Sequence, residues 1–285
     1  MKKVIYLLTS VLVLTSCEDV IEVDVPTEEP RLIIDALIRV DENEPTINIL
    51  VKASLSNSFF DTISPAKLDE ITLINLDLPA ENNRNARFLT ENNPGSGIYE
   101  VLSDTDFLLE GELLLQITYE DQLFSATTRY VPTVPIDKLE QGDDILFDDE
   151  DTEVEITFTD NPDRNDFYVF DFDFNEFLVS EDEFFQGQAF KFSYFYDKNL
   201  EAGQEVDISI LGADQEFFNY MDKLIEQGGA NPGPFGTPAA TVRGNILNVT
   251  ELDNMDVFDN VDMPNNFALG YFAVVQEFQE TITIQ

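Results

Sequence analysis

The residue types best suited to catalysis are scarce in this sequence. Its 285 residues include one Cys, at position 17, and no His. The sequence therefore excludes Cys–His and Ser–His–Asp catalytic machinery and tetrahedral zinc sites built from Cys or His ligands. Carboxylate chemistry, metal sites with oxygen ligands and schemes based on Ser with Lys or on Tyr stay open. Because we find no Gly-rich phosphate loop and no G-x-S-x-G elbow, we predict no catalytic residue, no cofactor and no resident metal.

Carboxylates are the abundant reactive group. The chain has 57 Asp and Glu against 15 Lys and Arg, which gives a formal net charge of −42. A surface of this charge repels phosphate backbones, so we predict no nucleic-acid partner. The charge is typical of a protein that stays soluble in a salty medium, with a basic partner or bulk calcium binding as alternatives. Glycoside hydrolysis needs two carboxyl groups about 5 to 9.5 Å apart, and no pair can be selected among so many.

One acidic stretch has the composition of a calcium loop. Residues 160–166 (DNPDRND) lie between two predicted strands and could donate several oxygen ligands to Ca²⁺. The stretch lacks the spacing and the glycine of an EF-hand, so a hairpin turn is the favoured interpretation. Asp148–Asp151 could also gather cations, but a solvated run of charge is the simpler explanation.

The first seventeen residues have the order of an export signal. Met1-Lys2-Lys3 is followed by a mostly apolar stretch, Val4–Val13, and then by Leu14-Thr15-Ser16-Cys17. The stretch is shorter than the about 20 residues needed to span a bilayer, but it suits the core of a signal peptide. Leu-Thr-Ser-Cys resembles the lipobox of bacterial lipoprotein precursors. The resemblance implies cleavage between Ser16 and Cys17 and lipidation of the Cys17 thiol. An ordinary secretory signal with an incidental Cys is the alternative.

Two or three acyl chains, palmitate among them, would anchor such a protein stably, whereas one chain alone is marginal. Glu18 and Asp19 follow the Cys directly. Acidic residues at this place resemble the surface-export signal of Bacteroidota lipoproteins and imply an outer-membrane location that faces the cell exterior. A generic solvated tether is the alternative. Removal of residues 1–16 would take away Lys2 and Lys3 and no acid, changing the net charge from −42 to −44.

Alternating apolar residues predict a β-protein over the rest of the chain. Residues 17–30 are acidic and are predicted to form a tether. Seven short runs with period-two alternation then occupy residues 31–135, and Glu120-Asp121 separates two of them as a tight hairpin. Seven such runs within about 100 residues indicate an Ig-like β-sandwich. The acidic residues 136–151 are predicted to be an extended linker.

The C-terminal region, residues 152–285, is predicted to be a second β-rich domain. Tyr168, Phe170, Phe172 and Phe174 alternate with smaller or acidic residues and predict an inward aromatic row. An amphipathic helix is predicted near 214–227, capped by Asp214 and ended by Gly228-Gly229. Closing strands are predicted at 241–249, 267–278 and 281–284. The predicted fold class is therefore all-β, with two β-sandwich-like domains, the second of which carries one helix.

The order of several short motifs resembles the Bacteroidota lipoprotein family called domain of unknown function 4249. The motifs include the head from Ser16 to Asp24, Pro30 to Ala36, Thr159-Asp-Asn-Pro162, the Asn-Pro-x-Pro-Phe235 loop, Arg243-Gly-Asn245 and Leu269-Gly-Tyr-Phe272. They would cover nearly the whole mature chain. The long acidic segment from Glu251 to Asn266 departs from the family, which is usually shorter there.

The resemblance implies no catalytic residue, but it implies a context. Such lipoproteins often accompany TonB-dependent outer-membrane receptors, so we expect a non-catalytic accessory or binding role beside a transporter. A structural or adhesion protein of the cell surface and a carboxylate-dependent hydrolase are the alternatives. The ligand cannot be deduced from the sequence.

Overall fold

The computed structural model of the protein describes residues 30–56, 63–144, 152–196, 200–228, 241–250 and 267–285. Within these ranges the chain is mostly β, as predicted, with one long helix. The predicted signal peptide, Cys17, the run Asp148–Asp151 and the acidic segment 251–266 lie outside the described residues.

The N-terminal half is built almost entirely from strands. Its elements are β1 (Leu32–Val40), β2 (Thr46–Leu55), β3 (Ser64–Pro65), β4 (Glu70–Asn75), a 3₁₀ turn (Glu81–Asn83), β5 (Ala86–Phe88), β6 (Thr90–Glu91), β7 (Ile98–Asp104), the short helix α1 (Asp106–Leu109), β8 (Glu112–Tyr119) and β9 (Gln122–Val131). The predicted runs therefore correspond to observed strands, with shifts of a few residues at their ends.

The C-terminal half adds eight strands and the long helix. Its elements are β10 (Ile136–Gln141), β11 (Thr152–Thr159), β12 (Phe167–Asp171), β13 (Phe177–Glu181), a 3₁₀ turn (Asp182–Phe184), β14 (Ala189–Tyr196), β15 (Glu205–Ala213), α2 (Gln215–Gly228), β16 (Leu247–Asn248) and β17 (Leu269–Thr283). Helix α2 is the predicted one, shifted by one residue at each end.

Two layers of strands enclose the N-terminal core. One layer contains β1, β2 and β7, and the other contains β4, β8 and β9. Inward residues of both layers, such as Ile34, Val51 and Leu73, are fully buried in one apolar cluster. The predicted hairpin is confirmed, because Glu120 and Asp121 have φ values of 49° and 62°, which a type I′ turn requires.

Strand β17 belongs to both halves of the molecule. It was predicted as two strands of the C-terminal domain, but it is one strand of 15 residues. Its first part runs parallel to β1, with Ile33 opposite Leu269, and its last part runs antiparallel to β15, with Glu205 opposite Thr283. The N-terminal sheet therefore includes a strand from the end of the chain, and residues 31–135 alone do not complete it.

The prediction of a linker over 136–151 is wrong for its first six residues. Residues 136–141 form β10, which pairs with β11, and β11 pairs in turn with β14. Ile136 is buried and Leu139 packs against the same aromatic core, so two apolar residues outweigh the acidic neighbours that suggested a linker. This three-stranded sheet covers one face of β12 and β15, and α2 covers part of the other face.

Candidate functional site

One continuous sheet face changes from apolar to polar where α2 stops covering it. Helix α2 starts at the predicted cap, because the Phe217 amide donates a 2.7 Å hydrogen bond to Asp214 Oδ1, and it buries Phe217 and Met221 against the sheet. Leu224, nearer the end of the helix, is 42% exposed. Residues two positions apart lie on one face of a strand. Along three strands this face passes from Val169 to Asp171, from Leu211 to Ser209 and from Val275 to Glu277.

The polar part of this face forms an open cleft of about 460 Å³. We call it the Arg39 cleft. Its walls come from both halves of the chain: Asp35 and Arg39 of β1, Asp171 of β12, Asp207 and Ser209 of β15, and the turn at 173–175. The strand pairings that bring β1, β17, β15 and β12 side by side are therefore what assembles it.

Arg39 is fixed at the centre of the cleft. Its Nη2 donates to Asp171 Oδ2 at 2.6 Å and its Nη1 donates to Glu277 Oε1 at 3.0 Å. Burial lowers the pKa of the guanidinium, but the hydrogen bond that it donates to Asp171 and the charges of Glu277 and Asp171 outweigh this effect, so the pKa is raised overall. Arg39 therefore stays charged and joins the N-terminal strand β1 to β12 and β17.

The remaining carboxylates of the cleft also have donors. Lys52 Nζ lies 3.7 Å from Asp35 Oδ2, the Thr281 hydroxyl donates to Asp207 Oδ1 at 2.6 Å, and the Phe174 amide donates to Asp173 Oδ1 at 2.7 Å. The carboxylates and cations of the described lining are thus paired, Asp35 through an ion pair and Asp171, Asp173 and Asp207 through hydrogen bonds. Such a lining suits the binding of a polar ligand.

An unusual turn supplies the aromatic wall. Asp173, Phe174 and Asn175 have φ values of 63°, 53° and 62°, and the Glu176 amide closes the turn on the Asp173 carbonyl at 2.8 Å. The prediction that Phe174 belongs to the inward row is wrong, because the strand ends before it and leaves its ring 39% exposed. Left-handed backbone at a bulky residue costs about 1–3 kcal/mol and is concentrated at functional sites.

The acidic stretch 160–166 is not a hairpin, and its two buried carboxylates, Asp160 and Asp166, belong to a hydrogen-bond network. It carries the chain from β11 in the small sheet to β12 in the large one. The Tyr168 hydroxyl donates to Asp160, the Gly187 amide donates to the same carboxylate at 2.6 Å, and Arg164 forms a bidentate pair with Asp166. Burial and the hydrogen bond to Asp160 raise the pKa of Tyr168 strongly, so it remains a donor.

Within the described ranges, no group of three or more Cys, His, Asp or Glu side chains has an arrangement that could hold a metal ion. One Ser-x-x-Lys spacing occurs in the sequence, at Ser64 and Lys67. In catalytic sites that use Ser and Lys, the two side chains must come within hydrogen-bond reach. Here Ser64 belongs to the two-residue strand β3 and both residues are exposed.

The predicted lipidation site cannot be placed on the structure, since Ser16 and Cys17 precede the described residues. In the part of the chain that is described, none of the helices is both long and apolar enough to cross a bilayer.

A scan against protein-family models matches residues 18–281 to the family described as "Domain of unknown function (DUF4249)". The chain belongs to this family. The match confirms the resemblance read from the motifs and covers almost the whole sequence after Cys17. A search of curated proteins found no match to the chain.

Two of the DUF4249-like motifs contact each other. The side-chain Oδ1 of Asn245 accepts a 2.9 Å hydrogen bond from the backbone N–H of Phe272, and its Nδ2 donates to the Phe272 backbone carbonyl at 2.8 Å. A Cβ at Gly244 would lie 1.6 Å from the Gly270 carbonyl oxygen, and one at Gly270 would lie 1.9 Å from that of Ile34. The motif glycines are therefore needed where β17 meets β1, which makes these motifs structural.

Proposed function

We propose that this chain is a non-catalytic lipoprotein of the outer membrane that faces the cell exterior and binds a ligand in the Arg39 cleft, as an accessory to a TonB-dependent transporter. The observation that carries the binding role is the cleft itself, in which strands from both halves hold an immobilised arginine, engaged carboxylates and an exposed Phe174 around an open volume.

The anchor is supported by the N-terminal sequence. Cys17 follows a positive start and an apolar stretch at the spacing of a lipobox. Fourteen residues separate Cys17 from Leu32, where β1 begins. A chain of that length spans at most about 50 Å, enough to let the folded part reach a neighbouring membrane protein.

The cleft chemistry limits the ligand. Its lining holds Asp35, Asp171, Asp173 and Asp207 against Arg39 and Lys52, so an anionic ligand would be repelled. The exposed ring of Phe174 and the polar side chains of Asn175 and Ser209 suit a neutral or cationic ligand with a flat apolar face and several hydrogen-bonding groups.

Co-purification tests the partner. The full chain, tagged after Gln285, is recovered from gently solubilised membranes. We expect an outer-membrane receptor to be enriched with it; recovery of the lipoprotein alone contradicts the accessory role.

Ligand binding in the Arg39 cleft is tested by measuring thermal shifts with a panel of neutral oligosaccharides and cationic peptides. A ligand that stabilises the wild type should lose its effect in Asp207→Ala and keep it in Asp222→Ala, a matched change at an exposed position of α2.

A further inference from the structure

A second cleft, separate from the Arg39 cleft, has a volume of about 710 Å³ and lies at the far end of β1 from Leu32. We call it the Arg84 pocket. Its lining is apolar at Pro45, Leu78, Pro79 and Phe107, and it also holds two guanidinium groups, Arg84 and Arg87, and two carboxylates, Asp104 and Asp106. Two arginines at one pocket are unexpected in a chain with 15 basic and 57 acidic residues.

Arg87 is held in place by several contacts. Its guanidinium carbon lies 3.9 Å from the centroid of the Phe107 ring. Its Nε donates to Ser103 Oγ at 2.8 Å, and its Nη1 donates to the carbonyls of Ala86 and Arg84 at 3.1 and 3.2 Å. A guanidinium fixed in this way loses little conformational entropy when it binds a ligand.

The third nitrogen of Arg87 has hydrogen-bonding capacity left. A guanidinium has five N–H donors, and Nη2 carries two of them. Among the described residues the nearest acidic group is Asp104, whose Oδ2 lies 3.8 Å from Nη2, beyond hydrogen-bond distance. Asp104 is itself 78% exposed. The Nη2 donors can therefore still bind a closer acceptor.

Arg84 lies at the same pocket with an exposed side chain. It follows Asn82 and Asn83, whose φ values of 57° and 55° turn the chain there, a conformation that Asn tolerates well. None of the ion pairs between described residues includes Arg84.

We propose that the Arg84 pocket binds an amphipathic carboxylate. The carboxylate lies between the guanidinium groups of Arg84 and Arg87, and the apolar body packs against the exposed side chains of Pro45, Leu78 and Pro79. Arginine pairs with carboxylates through two parallel hydrogen bonds, and the apolar wall provides burial for a ring or an alkyl chain. Asp104 acts as an internal competitor, because its carboxylate occupies the neighbourhood that the ligand needs.

Calorimetric titration of the full chain in detergent micelles tests the proposal, with 3-phenylpropionate as the probe. We expect saturable binding at or below about 1 mM. The neutral analogue 3-phenylpropanol should bind at least about tenfold more weakly. Propionate, which lacks the ring, should show no saturation.

Two substitutions should act in opposite directions. Arg84→Gln should weaken phenylpropionate binding about tenfold, and Asp104→Asn should strengthen it several-fold. Lys138→Gln, which removes a distant exposed positive charge, should leave it unchanged. Equal affinity for the acid and the alcohol, equal affinity of wild type and Arg84→Gln, or no binding of phenylpropionate would each overturn the proposal.

Discussion

Arg39 and Asp171 are 132 positions apart in the chain, yet the Nη2 of one lies 2.6 Å from the carboxylate of the other. The pair connects β1 to β12. With Glu277, 238 positions from Arg39, it ties both to the last strand. The cleft therefore depends on one cation whose partners are contributed by distant parts of the sequence.

Substitution of this cation should destabilise the fold. In Arg39→Gln, Asp171 and Glu277 keep their charges with 15% and 20% exposure and lose their partner. We expect the free energy of unfolding to fall by about 2–4 kcal/mol, less than for a fully buried pair because the site is partly solvated. Denaturant titration measures it. Lys52→Gln, in an exposed pair with Asp35, should change it by under about 0.5 kcal/mol; equal losses would contradict the central position of Arg39.

The contact between the two glycine motifs makes a sharper structural prediction. Gly270→Ala places a side chain at a φ of 94° and against the Ile34 carbonyl. We expect a loss of about 2–5 kcal/mol from strain and overpacking. Gly228→Ala, where nothing lies within 4 Å of the added carbon, is the matched control and should be close to neutral. A Gly270→Ala protein with wild-type melting temperature would show that β17 does not pack on β1 as described.

Asn245 should contribute nearly as much to stability, because its side-chain amide satisfies both backbone groups of Phe272. Asn245→Ala leaves a buried donor and acceptor without this partner, and we expect a loss of about 1–3 kcal/mol. Asn245→Asp keeps the acceptor and loses the donor, so its cost should be larger at neutral pH than at pH 3. Thermal unfolding at both pH values checks this; the same cost at both pH values would exclude the donor's role.

Stability should fall at alkaline pH. Five tyrosines have a pKa raised far above the ordinary 10.0. Burial is the largest cause, and hydrogen bonds or nearby charges add to it; the residues are Tyr130, Tyr168, Tyr194, Tyr196 and Tyr271. The unfolded chain therefore releases these protons first, so stability is complete below pH 10 and is lost as the pH rises beyond it. In urea titrations between pH 8 and 11.5, the free energy of unfolding should fall by up to about 1.4 kcal/mol per pH unit for each tyrosine. Tyr196→Phe should make the free energy of unfolding depend less steeply on pH. A wild-type free energy of unfolding that does not change between pH 8 and 11.5 would contradict the prediction.

Local pattern was sufficient for most elements of the fold. The run Arg31–Val40 predicts β1 because its alternate residues are apolar, and the cap at Asp214 with its apolar stripe predicts α2 to within one residue. The tight turn at Glu120-Asp121 is likewise local, since it joins two neighbouring alternating runs that pair directly with each other.

The predictions that are wrong concern residues whose structure depends on contacts with distant parts of the sequence. Residues 136–141 look like a linker because Glu140 and its neighbours are charged, but pairing with β11 and the burial of Ile136 make them a strand. Phe174 continues the aromatic alternation in the sequence, but the turn closed by the Glu176 amide places its side chain outside the core. No local signal joins Arg39 to its two acids, so the cleft could not be predicted from the sequence.

Lipidation of Cys17, the proposed membrane anchor, can be measured directly in cells. Cells that express the full chain are labelled with palmitate, and wild type is compared with Cys17→Ala. We expect label on the wild type alone and release of the Cys17→Ala chain from the membrane fraction. An unlabelled wild-type protein, or a Cys17→Ala protein that stays fully membrane-bound, would contradict it.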